Sequence, residues 1–226
     1  FLFKLAPEKN DNLELVEADL LNKESWITAT KGCDYVFHVA SPVLFGNVTE
    51  DQIVKPAVEG TISVLEASIQ NGIKKVIITS SIAATCYGNF DKIVTEEDWS
   101  IESACGPYEI SKLRAEKAAW DIWHKNPGKI EMAVINPGLN LGPRHGVNPG
   151  GQYEDLIGKV MLNKFPRLPR IGFALVDVRD VALAHIKALE NPNSNGQRYI
   201  LVAETCWFVD MARILKNEFA QHGYKV

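Results

Sequence analysis

Short apolar runs alternate with helix-length amphipathic stretches along this chain, and that alternation limits its fold more than any other feature. Tyr35-Val36-Phe37-His38-Val39-Ala40 is nearly continuous in apolar residues, the pattern of a strand covered on both faces. Residues 53–70 then carry Val54, Val58, Ile62, Leu65 and Ile69 at helical spacing, closed by Asn71-Gly72. Strand 75–80, a long loop, a helix from Tyr108 to His124 and strand 130–135 follow. Upstream, residues 13–18 alternate like a strand and residues 22–31 suit a short helix. A β-α-β-α-β order predicts an α/β fold, a doubly wound parallel sheet with helices on both faces.

After Asn136-Pro137-Gly138 the composition changes. Glycines and prolines crowd residues 142–152, a helix is expected near 152–163, and Phe165 to Arg170 is broken by prolines. The sheet pattern returns at Val176-Asp177-Val178, opening a helix to Glu190, with a last strand at 198–202 and a last helix at 207–222. This divides the chain into a main domain, 1–145 with 175–203, and a smaller discontinuous lobe, 146–174 with 204–226.

The 226 residues are 46% hydrophobic, enough for a sizeable core. A net charge of −4, with no dense basic stripe, argues against a nucleic-acid or anionic-membrane partner. Apolar runs fall short of the ~18 residues of a membrane span. Cys33, Cys86, Cys105 and Cys206 are scattered, without the spacing of a disulfide framework or zinc site, and fit a reducing, cytoplasmic setting. The opening Phe1-Leu2-Phe3-Lys4 is too short for a signal peptide and lacks Met, so further sequence is expected upstream.

The chemistry concentrates at Tyr108 and Lys112. Residues at i and i+4 share a helix face, so phenol and ammonium converge on one reactant. A fixed cation favours the phenolate and makes the tyrosine more acidic, fit for proton transfer near neutral pH. Gly106-Pro107 starts that helix. The strand before it runs into Ser80-Ser81, and ligands of open α/β sheets bind where strands end. A serine there can hold the substrate oxygen while the proton moves. Together the residues read as a carbonyl/alcohol redox site.

A set of motifs in fixed order strengthens the reading: Glu17-Ala18-Asp19-Leu20, Val36 to Pro42, Lys55-Pro56-Ala57-Val58-Glu59-Gly60-Thr61, Thr79-Ser80-Ser81, Tyr108-x-x-x-Lys112, Asn136-Pro137-Gly138 and Val176 to Ala182. In these the chain resembles the extended short-chain dehydrogenase/reductase family, in its branch of dihydroflavonol 4-reductase, cinnamoyl-CoA reductase and related aldehyde or ketone reductases. The resemblance implies a Rossmann-type fold binding NADP (NADPH), with NAD possible. It implies Tyr108 as proton donor, Lys112 as the group that tunes it and holds the nicotinamide ribose, and Ser81 as the catalytic serine, with Ser80 the alternative one residue away. By the same resemblance Asp19 and Leu20 meet the adenine. Val39, Ala40, Ser41, Thr79 and Ser80 line the cofactor, and Pro137 and Leu139 lie at its nicotinamide end. Structural alternatives exist: Asp19 as a helix cap, Pro137 as a strand breaker.

Two features depart from the family pattern. The Gly-rich turn that receives the pyrophosphate at a helix N-terminus is not in these residues, nor is the strand before it, and both are expected upstream. Cys86 stands near the position where dihydroflavonol reductases carry an asparagine, and Ala104-Cys105-Gly106-Pro107-Tyr108 replaces the Asn-Trp-Tyr-Cys-Tyr of cinnamoyl-CoA reductases. A broader reductase of an apolar or aromatic carbonyl compound, acting as monomer or homodimer, fits better than either. The alternatives are a nucleotide-sugar epimerase or dehydratase with tightly held NAD, for which Arg167 and Arg170 are candidate pyrophosphate donors, and a non-catalytic NADP-binding protein. His38 and His185 read as packing residues, Asp177 and Asp180 as helix-start carboxylates. Lys74-Lys75 reads as a solvated strand entrance, and Glu96-Glu97-Asp98 as a solvated loop.

Overall fold

The structure is a computed structural model that describes residues 12–44, 49–143 and 152–224. Expectations for residues 1–11, 45–48, 144–151 and 225–226 lie outside it. The described elements are α1 (Lys23–Ala29), β1 (Tyr35–His38), α2 (Glu50–Gln70), β2 (Lys75–Thr79), α3 (Pro107–Lys125), β3 (Glu131–Pro137), β4 (Leu139–Leu141), α4 (Gln152–Met161), β5 (Gly172–Asp177), α5 (Val178–Glu190), β6 (Gln197–Leu201), β7 (Glu204–Trp207) and α6 (Phe208–Phe219).

Four strands form a parallel sheet in the order β1-β2-β3-β6. Side chains alternate across a pleat. Val76, Ile78, Met132 and Val134 therefore meet Leu65, Ala119 and Trp120 of α2 and α3 on one face. Ile77, Ala133 and Ile135 meet Ala188 of α5 on the other. This is the expected doubly wound arrangement. A capping box joining Thr49 and Gln52 starts α2, which runs on through Pro56.

The second sheet, β4-β5-β7, is mixed: β4 and β5 run parallel, β5 and β7 antiparallel. Its own core gathers Leu139, Val160, Phe208 and Met211, with Phe165, Leu168 and Phe173 packed against them. This moves the expected division. Residues 139–141 and 175–177, which the sequence pattern places in the main domain, pair in the second sheet together with 172–174. The chain crosses between sheets at Gly138, where a Cβ would stand 2.3 Å from the Ala174 carbonyl oxygen. Only glycine permits so close a backbone approach.

Three other expectations are corrected. Residues 13–18 belong to no strand, and Leu13, Leu15 and Val16 are exposed. Alternation makes a strand only where a neighbour completes the ladder, and no described strand lies beside them. β1 is not covered on both faces: Phe37 keeps 44% of its surface exposed, and β2 is its only described strand partner. Lys75 is buried rather than solvated. Its ammonium donates to the carbonyls of Leu189 and Asn191 at 3.3 and 2.8 Å, capping the C-terminus of α5, while Lys74 stays outside and pairs with Asp34.

Candidate active site

The parallel registers set His38 beside Ile78 and Ile78 beside Val134, so the residues that follow emerge together at the carboxyl edge. Val39 and Ala40 are exposed there and Ser41 half-exposed. This run is left open at the strand ends, the edge where open α/β sheets bind their ligands.

β2 carries the next candidates. The Thr79 hydroxyl turns to the α5 face and lies 2.6 Å from His185 Nε2, whose Nδ1 lies 2.7 Å from the Val181 carbonyl. A carbonyl only accepts, so Nδ1 carries the hydrogen and Thr79 donates to Nε2. Ser80 turns to the opposite face and donates to Glu116 Oε2 at 2.5 Å. Ser81 accepts the Ala83 amide at 3.1 Å as the cap of a short 3-10 turn over residues 82–84. That bond fixes the Ser81 rotamer and leaves its O–H free to donate. The pair is thereby told apart: Ser80 is consumed by the interior, Ser81 is not.

Pro107 opens α3 at the first helical turn, where its missing amide costs nothing. Tyr108 is half-buried beside Ile53, Val54 and Ile110. The Lys112 ammonium lies 6.0 Å from the centre of the Tyr108 ring and is almost wholly buried. Burial pushes its pKa down to about 8, against an opposing pull from Glu116. His38 is buried nearby, with Nε2 3.3 Å from the Thr61 hydroxyl; burial and the Lys112 charge lower its pKa to about 4. His38 is thus a neutral packing residue.

The remaining candidates divide. Asp19 does not cap α1, a role taken by Asn22; its Oδ1 instead accepts the Leu21 amide at 2.7 Å. Leu20 packs over Gly60 of α2. Pro137 is buried at the end of β3. Leu139 has its side chain in the second core, which leaves its backbone for any ligand contact.

The site also contains residues that the motifs did not single out. Glu116 is buried at the centre of four donors: Ser80, Asn136 Nδ2 at 2.7 Å, Trp120 Nε1 at 3.3 Å and Arg198 Nε at 2.6 Å. Asn136 Nδ2 also reaches the Ser81 carbonyl at 3.1 Å. The available signal was spacing, since Glu116 follows Lys112 by one more i+4 step on the same face. The loop residues Glu96 and Asp98 are anchored rather than simply solvated, their carbonyls accepting from Arg198 at 2.6 and 2.7 Å.

The NAD dependent epimerase/dehydratase family matches residues 3–203. Cinnamoyl-CoA reductase CAD2 of Medicago truncatula is 34% identical over 96% of this chain and 68% of its own length. A (2S)-flavan-3-ol-forming anthocyanidin reductase of Vitis vinifera is 31% identical over 95% of this chain and 68% of its length. Other cinnamoyl-CoA reductases are spanned to 64% and 62% of their lengths. Among solved structures, the NADPH complex of Gre2 from Candida albicans superposes with a TM-score of 0.83 at 33% identity, covering 97% of this chain and 72% of that one. The Rossmann sheet, the order of its motifs and these matches agree: the chain belongs to the NAD dependent epimerase/dehydratase family, in the branch that holds cinnamoyl-CoA and anthocyanidin reductases.

Proposed function

We propose that the full-length protein is an NADPH-dependent oxidoreductase that reduces an aldehyde or ketone carried by an apolar or aromatic small molecule. The observation that carries this reading is the buried Lys112 ammonium behind Tyr108, on a helix packed against the turn that holds Ser81. The relatives named above are reductases, and the Gre2 structure contains NADPH.

The residues present suit a nicotinamide cofactor. Val39, Ala40 and Ser41 leave an open strand end beside a desolvated ammonium, a phenol and a hydroxyl. Asp19 and Leu20 would hold the adenine; Val39, Ala40 and Ser41 would line the cofactor with the backbone of Thr79 and Ser80, whose hydroxyls are turned to His185 and Glu116; Pro137 and the Leu139 backbone would flank the nicotinamide, and Lys112 would bind its ribose. When bound, the reduced cofactor supplies the hydride. Tyr108 gives its proton to the alkoxide that forms on the substrate oxygen. Lys112 makes that phenol more acidic, and the free O–H of Ser81 donates to the same oxygen as charge builds. Arg170, one of the two candidate pyrophosphate donors of the epimerase alternative, lies over the Trp207 ring at 5.7 Å. The four free thiols fit a cytoplasmic setting, as monomer or homodimer; among the described residues no helix is long and apolar enough to cross a membrane.

The test mixes purified full-length protein with NADPH and a panel of aliphatic and aromatic aldehydes, following loss of the reduced-nicotinamide absorbance. Turnover is expected, with Tyr108→Phe lowering kcat by about 10²–10⁴-fold while NADPH binding is retained. A panel that consumes no cofactor, or a Tyr108→Phe variant with full activity, removes the reading.

A further inference from the structure

The main sheet and α3 are joined beneath the redox residues by one buried carboxylate. Glu116 accepts from Ser80 at the end of β2, from Asn136 in β3, from Trp120 on its own helix and from Arg198 in β6. All four bonds run toward its two oxygens, a pattern that only an acceptor-only carboxylate meets. Two of these partners touch the serine loop: Ser80 precedes Ser81 in the chain, and Asn136 binds the Ser81 carbonyl as well as Glu116. Lys112 and Tyr108 lie one and two turns up the same helix. We propose that Glu116 is a positioning residue, which locks the Ser81 turn in register with the helix that carries Tyr108 and Lys112. It touches neither substrate nor cofactor; it acts through Ser81 and Lys112.

A second effect follows from its charge. The titratable groups around Lys112 are Tyr108 and Glu116 on its own helix and His38 at the end of β1. His38, its pKa lowered by burial, is neutral at working pH, so Glu116 is the anion that keeps Lys112 protonated against its desolvation. A neutral residue at 116 therefore lets the ammonium lose its proton at lower pH.

This inference rests on the reductase reading, and the experiment separates the two. Full-length wild type, Glu116→Gln and Ser80→Ala are compared in aldehyde turnover across pH, NADPH binding and backbone amide exchange. For Glu116→Gln the expected result is a kcat lowered roughly 10–100-fold, less than the about 10²–10⁴-fold of losing a general acid or base itself. KM and NADPH affinity should hold within a few-fold, and the alkaline limb of the kcat profile should move to lower pH. Amide exchange should quicken at residues 79–85 and nowhere else in the sheet. Ser80→Ala, a smaller change, should lower kcat in the same direction and remains informative if Glu116→Gln does not fold. A wild type inactive on every carbonyl sinks the reductase reading, and the exchange pattern then decides the positioning role alone. Unchanged kcat, pH profile and exchange in both variants, or losses of binding and folding in step with activity, overturn it.

Discussion

At the residue scale, burial decides which charges exist. His38 and Lys112 are both pushed toward neutrality because water is withdrawn from them, and the Lys112 charge adds to the shift of His38. For His38 the consequence is an acid limit on stability. Its folded pKa of about 4 lies below the ordinary 6.5, so between those values the unfolded chain binds a proton that the folded one refuses. The stability is complete above pH 6.5 and falls as pH drops toward 4, by about 3 kcal/mol for a gap of this size. Urea unfolding at pH 4.5 and 7 should show that loss in the native protein and a smaller one in His38→Gln. An equal loss in both would assign the acid limit to other groups.

At the element scale, one helix contact tests the adenine site proposed at Asp19 and Leu20. A Cβ on Gly60 of α2 would meet Leu20 Cδ2 at 2.6 Å and its Cβ at 2.9 Å. Alanine favours a helix interior over glycine by about 1 kcal/mol, which offsets part of the strain. The Asp19-Leu20 segment lies outside any helix or strand and is held by short-range bonds to Asn22 and Ser25, so it should move rather than the longer α2. Gly60→Ala is expected to leave the unfolding midpoint nearly unchanged while weakening NADPH binding several-fold, read by cofactor fluorescence titration. Unaltered affinity would detach Asp19 and Leu20 from the cofactor. Residues 13–18 illustrate the converse limit: their alternation was plain in the sequence, but a ladder requires a partner that alternation cannot supply.

For the whole molecule, Arg198 joins distant parts. From β6 it pairs with Glu116, stacks on Trp99 with the guanidinium 3.9 Å from the ring centre, and binds the carbonyls of Glu96 and Asp98 in the long loop. Its side chain and that of Glu116 are almost fully enclosed. Arg198→Met would leave a buried carboxylate without its cation, a loss worth about 3–5 kcal/mol. Denaturant unfolding should register it, and proteolysis should open the 85–100 loop first. A variant as stable as the parent would mean that Trp120, Ser80 and Asn136 suffice to hold the charge.

The sequence by itself determined the parallel sheet and most of the order of its strands and helices, and it pointed to Ser81, Tyr108 and Lys112 as candidates, because these follow from periodicity and from spacing along one element. Tertiary structure alone decided which serine is free, why Glu116, Asn136 and Arg198 matter, that Lys75 caps α5 instead of facing water, and that residues 139–141 and 172–177 leave the main sheet. Those outcomes depend on contacts between residues far apart in the chain, where burial and a neighbour's donors set the energy. No local pattern encodes them.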